Sequence, residues 1–109
     1  MKRDYFIRCN IAGFSYYEGA IAFKKLKIGK KLNLKREPDN SYDKHAIVLY
    51  RKGLKLGYIP KGENRKLSLL LKNGGVKFEV RVQKVDANEH PENQIEVIIY
   101  LLTPKKETA

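Results

Sequence analysis

Phe78-Glu79-Val80-Arg81-Val82-Gln83-Lys84-Val85 and, after a polar interval, Ile95-Glu96-Val97-Ile98-Ile99-Tyr100-Leu101-Leu102 decide the fold class of this 109-residue chain. In the first stretch Phe78, Val80 and Val82, and then Val85, follow the period-two pattern of a half-buried strand, with Lys77, Glu79, Arg81 and Gln83 on the other face. The second is apolar on both faces, as expected of a strand covered on both sides or closing a barrel. Working back toward the N-terminus, Leu67, Leu70 and Leu71 share one helical face, and Asn73-Gly74-Gly75 offers residues tolerant of positive φ at its C-terminal end. Before that, Leu54, Leu56 and Tyr58 alternate with Lys55 and Gly57 up to Pro60, and Gly53 joins them by a tight hairpin to the run Ala46 to Tyr50. The side chains of Asp39-Asn40-Ser41 favour a turn, and Leu32 and Leu34 form a strand that Pro38 terminates. A short helix is expected over Ala20 to Lys27, stopped by Gly29. Tyr5, Ile7, Cys9 and Ile11, alternating with Phe6, Arg8 and Asn10, form the first strand, which ends at Gly13.

Six short strands and one or two short helices make the chain mainly β. Because only one connection is long enough for a crossover helix, the order fits a six-stranded antiparallel barrel better than a parallel sheet. The length suits one domain spanning 1–109, with its core over about 5–102 and a flexible tail over 103–109. No apolar run approaches the roughly 18 residues of a membrane span, and no secretory signal is visible at the start, so an intracellular, cytoplasmic, membrane-free monomer is expected. The single Cys9 cannot pair within the chain and fits a reducing compartment; with His45 and His90 it lacks the spacing of a zinc site, so neither metal nor cofactor is expected. The formal charge is +11, and it is lopsided: residues 1–78 hold 19 Lys and Arg against 6 Asp and Glu, whereas residues 79–109 hold 4 against 6. Ala20 to Arg36 carries seven basic residues and no acid. A polyanion is the partner such a surface fits, although a basic surface also serves solubility.

Three segments stand out in order: the pair Tyr16-Tyr17; Arg36-Glu37-Pro38-Asp39-Asn40-Ser41-Tyr42-Asp43-Lys44-His45-Ala46-Ile47; and Gly57-Tyr58-Ile59-Pro60-Lys61. With these the chain resembles, from about Phe6 to Leu102, the HIRAN domain, a module found alone in bacteria and at the front of some DNA-remodelling helicases. The resemblance implies a modified oligonucleotide-binding (OB-like) barrel and a domain that binds the 3′-hydroxyl end of single-stranded DNA. It also implies a setting in DNA repair or replication-fork processing, with any helicase or nuclease activity residing in other domains or partner proteins. It carries Lys61 over as a phosphate contact. One departure is plain: helicase members place an arginine before the first tyrosine, where this chain has Ser15.

The residues make independent sense of single-strand binding, which takes aromatic faces for bases and cations for phosphates. Tyr16, Tyr42 and Tyr58 stand beside Lys35, Arg36 and Lys61, and each stacked base is worth about 1–3 kcal/mol. Tyr58 reads equally well as a core or barrel-edge aromatic with its hydroxyl in water, and Tyr17 reads as one in preference to a binding residue. Asp43 is repelled by a phosphate but accepts a hydrogen bond from a hydroxyl, so it selects a hydroxyl end; Asn40 can both donate and accept toward the terminal sugar or a base edge. Asn40 and Asp43 also read as turn-formers, and both roles can hold together. Two other functions compete. Glu37, Asp39, Asp43 and His45 crowd one loop as a metal-dependent nuclease would require, but they lie on one turn that Pro38 splays. A sheet edge, or the Leu67 helix, could instead dock a protein.

Overall fold

The computed structural model describes residues 2–74 and 76–103; Gly75 of the expected helix cap and residues 104–109 of the expected tail lie outside the described residues. Its strands are β1 (Lys2–Asn10), β2 (Lys31–Arg36), β3 (Ile47–Arg51), β4 (Leu54–Tyr58), β5 (Lys77–Val85) and β6 (Ile95–Thr103), and its helices are α1 (Gly19–Ala22) and α2 (Asn64–Asn73). All strand pairs are antiparallel, in the order β1-β6-β5-β2-β3-β4. Among the described residues the chain just past β1 meets the other edge strand, β4, at a single bridge, Ala12 to Tyr58, whose reciprocal N–H···O bonds are 2.8 and 2.9 Å long. The OB-like sheet is therefore curled but not closed.

The strands follow the alternation of the sequence except where an extra residue breaks the register. Tyr5 pairs with Tyr100 and Ile7 with Ile99, leaving Phe6 as a bulge in β1. A bulge turns the next side chain to the other face. Tyr5, which the alternation alone places inward, is therefore 64 % exposed, while Phe6 packs edge-on against Phe78 at 5.2 Å. A second shift lies between Val82 and Lys84 of β5 and brings Val85 back against the core, which explains the three-residue step that ends the run of valines. β6 is central, between β1 and β5, and its inward Ile95, Val97 and Ile99 join Leu49, Leu56 and Leu67 in the core. Thr103, expected in the tail, is the last residue of β6 and pairs with Lys2.

α1 is shorter than the pattern over Ala20 to Lys27 implies; after one turn it tightens into a 3-10 turn, Phe23–Lys25. α2 spans Leu67, Leu70 and Leu71 as expected and ends at Gly74, whose φ is 70°. The segment expected as loop before β6 contains a 3-10 turn, Pro91–Asn93, whose Glu92 N–H donates to His90 Nδ1. Burial pushes the Cys9 thiol up to about 12, helped by the negative charges of Glu63 and Glu96, so the thiol stays protonated.

Candidate nucleic-acid interface

An open cleft of about 510 Å³ lies where the β1–β4 bridge meets the connection from β2 to β3. Ala12 and Tyr58 form its floor; Asn40, Ser41, Tyr42 and Asp43 form one wall; Lys61 and Asn64 stand at the start of α2. Five of the eight residues singled out above thus meet here: Asn40, Tyr42, Asp43, Tyr58 and Lys61.

The wall is built by side chains that hydrogen-bond their own backbone. Asn40 Oδ1 accepts from the N–H groups of Tyr42 (2.9 Å) and Asp43 (3.1 Å), and its Nδ2 donates to Glu37 at 3.1 Å. Asp43 Oδ1 accepts from the His45 N–H at 2.9 Å, and its Oδ2 accepts from Nδ2 of the buried Asn64 at 2.7 Å, which pins the turn to the first residue of α2. The Asn64 hydrogen bond outweighs partial burial and, with the His45 N–H and the Lys61 charge, holds the Asp43 carboxyl below its ordinary value. An ionised carboxylate has about four acceptor positions. Two are used here, so each oxygen keeps one unused.

Turning the chain so tightly lifts Tyr42 clear of the protein: it is 91 % exposed, with no ring or cation against its faces among the described residues. Tyr58 is placed differently. Its hydroxyl donates to Glu37 at 2.7 Å and accepts from Lys55 Nζ at 2.8 Å. Its ring meets Tyr17 edge-on at 5.7 Å, and the Lys55 ammonium lies 4.2 Å from the Tyr17 centroid and 4.6 Å from that of Tyr58. Although burial alone would raise it, the hydrogen bonds from Tyr58 and Asn40 and the Lys55 charge hold the Glu37 carboxyl low. Lys55 in turn stays charged, because its hydrogen bond to Tyr58 and the neighbouring Glu37 outweigh its desolvation. The result is a fixed, cation-braced floor facing a free tyrosine.

Three residues lie outside the cleft. Tyr16 is 80 % exposed on the 3-10 turn Phe14–Tyr16, its N–H donating to the Gly13 carbonyl, and it does not line the cleft. Lys35 and Arg36 line an adjoining groove of about 420 Å³ that shares Asn40 with the cleft, and Arg36 Nε is turned toward Ser68 of α2 at 3.4 Å. Conversely, Tyr17 is no core residue: it is 39 % exposed and lines the cleft beside Tyr58. Lys55 and Asn64 also escaped the sequence reading, the first because it looks like an outward residue of an alternating strand, the second because nothing local distinguishes it. Among the described residues no three His, Cys, Asp or Glu side chains come together as metal ligands; Glu37 and Asp43 are drawn apart, toward Tyr58 and Asn64.

A family model described as the HIRAN domain matches residues 4–101. The chain belongs to the HIRAN domain family. This is a family of nucleic-acid-binding modules. A crystal structure of a protein from Lactobacillus plantarum is similar to this HIRAN domain, with a TM-score of 0.76 and 24 % identity over 92 % of this chain and 95 % of that one. The crystal structure of the HIRAN domain of human HLTF is similar with a TM-score of 0.66 and 22 % identity, over 91 % and 76 % of the respective chains. At these identities the two likenesses establish the fold. No curated protein sequence matches.

Proposed function

We propose that this HIRAN domain binds single-stranded DNA by a free 3′-hydroxyl end, as a non-catalytic module of DNA repair or replication-fork processing. One observation carries the reading: an ionised Asp43 with unused acceptor positions shares an open cleft with an exposed tyrosine and a lysine. Tyr42 supplies a face for the terminal base, and Lys61 neutralises the phosphate behind it. Asp43 accepts from the terminal hydroxyl and repels a terminal phosphate. The remaining N–H of Asn40 Nδ2 is available to the sugar or to a base edge. Tyr58, with Tyr17 at its edge and Lys55 over its face, acts as the fixed floor on which the sugar rests, while Tyr16 extends the aromatic surface outward.

Fluorescence anisotropy with a labelled trinucleotide tests this reading. The 3′-hydroxyl form is expected to bind at least about tenfold more tightly than the 3′-phosphate form, with the preference abolished in Asp43→Asn, where the repelling charge is gone. Equal affinities for both forms in the wild type would remove end recognition.

A further inference from the structure

A second concave site lies on the other end of β4, and the proposed end-binding cleft does not use it. Lys24, Lys25, Lys27 and Lys30, from the segment between α1 and β2, converge there with Arg51 and Lys52 of the β3–β4 hairpin around a pocket of about 530 Å³. No carboxylate lines it, and none of the six cations makes an ion pair among the described residues. Six like charges around one concavity repel one another, an arrangement that gains when an anion enters. Arg51 is fixed in this crowd by its Nη1, which donates to the Lys31 carbonyl at 3.2 Å, while its buried Nε has no partner.

The two sites are joined by one strand. Leu54 lines the cationic pocket and Tyr58 lines the cleft, at opposite ends of β4, about 13 Å apart at the usual strand rise. Lys55, between them, carries its ammonium over the cleft floor; two carboxylates are bonded to this stretch, Glu18 accepting from the Lys55 backbone N–H and Glu37 from the Tyr58 hydroxyl. Single strands commonly occupy about 4–16 nucleotides on one such fold, more than an end cleft alone can cover.

We infer that the pocket formed by Lys24, Lys25, Lys27, Lys30, Arg51 and Lys52 holds backbone phosphates of the same nucleic-acid strand, several nucleotides from the end seated in the cleft. The inference rests on the reading of the cleft as a single-strand site. It makes the β4 side of the molecule a continuous track, with the end gripped by the cleft and the following backbone held by charge alone, without base preference.

The test compares a labelled trinucleotide with a decanucleotide on the full chain, using a Lys24→Gln/Lys27→Gln/Lys30→Gln variant. These three side chains are exposed, so their replacement leaves the core untouched. The variant is expected to bind the trinucleotide like the wild type and the decanucleotide at least about tenfold more weakly. Its salt slope on the decanucleotide should be shallower by about 0.7 for each phosphate that the missing lysines no longer neutralise. An Arg65→Gln/Lys66→Gln/Lys72→Gln variant removes the same charge from α2 and is expected to keep the decanucleotide affinity. Equal weakening on both lengths, equal weakening in both variants, an unchanged decanucleotide affinity, or a wild type that binds neither strand would overturn the inference. The 3′-hydroxyl to 3′-phosphate ratio of the trinucleotide reports separately on end recognition, so failure of the end reading and failure of the track are told apart.

Discussion

A tyrosine that is 91 % exposed adds nothing to the core, whereas one whose hydroxyl is doubly bonded and whose ring is braced by a cation is part of the scaffold. Tyr42 and Tyr58 divide along this line, so their substitutions should separate binding from folding. Tyr42→Ala is expected to weaken single-strand affinity by about 1–3 kcal/mol, the value of one base stack, while the thermal midpoint stays within about 1 °C. Anisotropy and a melting curve on the same sample measure both. The residue scale also marks where sequence reasoning stops. Asn40, Tyr42 and Asp43 are legible because turn chemistry is local: the Asn40 and Asp43 side chains accept from backbone N–H groups two or three residues away, that of Tyr42 among them. Tyr17 and Asn64 acquire their roles from Tyr58 and Asp43, 41 and 21 residues distant, and Lys55 acquires its role by joining the nearby Tyr58 to Tyr17 and Glu37 far back in the chain.

At the scale of elements, two contacts hold the sheet in the shape the cleft needs. The first is the Ala12–Tyr58 bridge, which requires Gly57. Its φ is 148°, and a Cβ there would run into the Ala12 carbonyl oxygen and lie 2.7 Å from Ile11 Cγ2. Gly57→Ala is therefore expected to cost more than about 2 kcal/mol in urea unfolding and to part the cleft floor. A change below about 0.5 kcal/mol would show the bridge to be dispensable. The second is Glu79 of β5, reached by Arg3 of β1 at 3.0 Å, Arg81 at 3.2 Å and Lys31 of β2 at 3.5 Å. The Arg3 hydrogen bond, opposed by burial and aided by Arg81 and Lys31, holds its carboxyl at about 2, below the usual 4.5. A carboxylate depressed in the folded state contributes its stability above the ordinary value and loses it as pH falls toward the depressed one. The wild type should lose stability between about pH 4.5 and 2, whereas Glu79→Gln should be about 1–3 kcal/mol weaker at neutral pH and flatter across that interval. Urea titrations at stepped pH show both. Element positions were legible because period-two and helical patterns are local signals. The order β1-β6-β5-β2-β3-β4 was not, because pairing is decided by which apolar faces meet across the whole chain; the Phe6 bulge likewise escaped, since both Tyr5 and Phe6 suit a strand interior.

Over the whole molecule the charge does two things at once. The excess of cations in residues 1–78 raises the local concentration of any polyanion, and the surface it covers includes both the open cleft and the cationic pocket. Sequence foretold the sign of the partner from that excess, but not that the cations would gather at one concavity with no acid beside them, since this depends on the β3–β4 hairpin folding back against the α1–β2 segment. Among the described residues no helix is long and apolar enough to cross a membrane. What remains is where a strand touches this surface. Amide chemical-shift perturbation on the isotope-labelled protein, titrated with a short 3′-hydroxyl oligonucleotide, reads that directly. The expected shifts concentrate at Ala12, Tyr17, Ser41, Tyr42, Asp43 and Lys61. Shifts confined to the exposed face of α2 or to the β1 edge, with the Asn40 to Asp43 turn unmoved, would contradict end binding in the cleft.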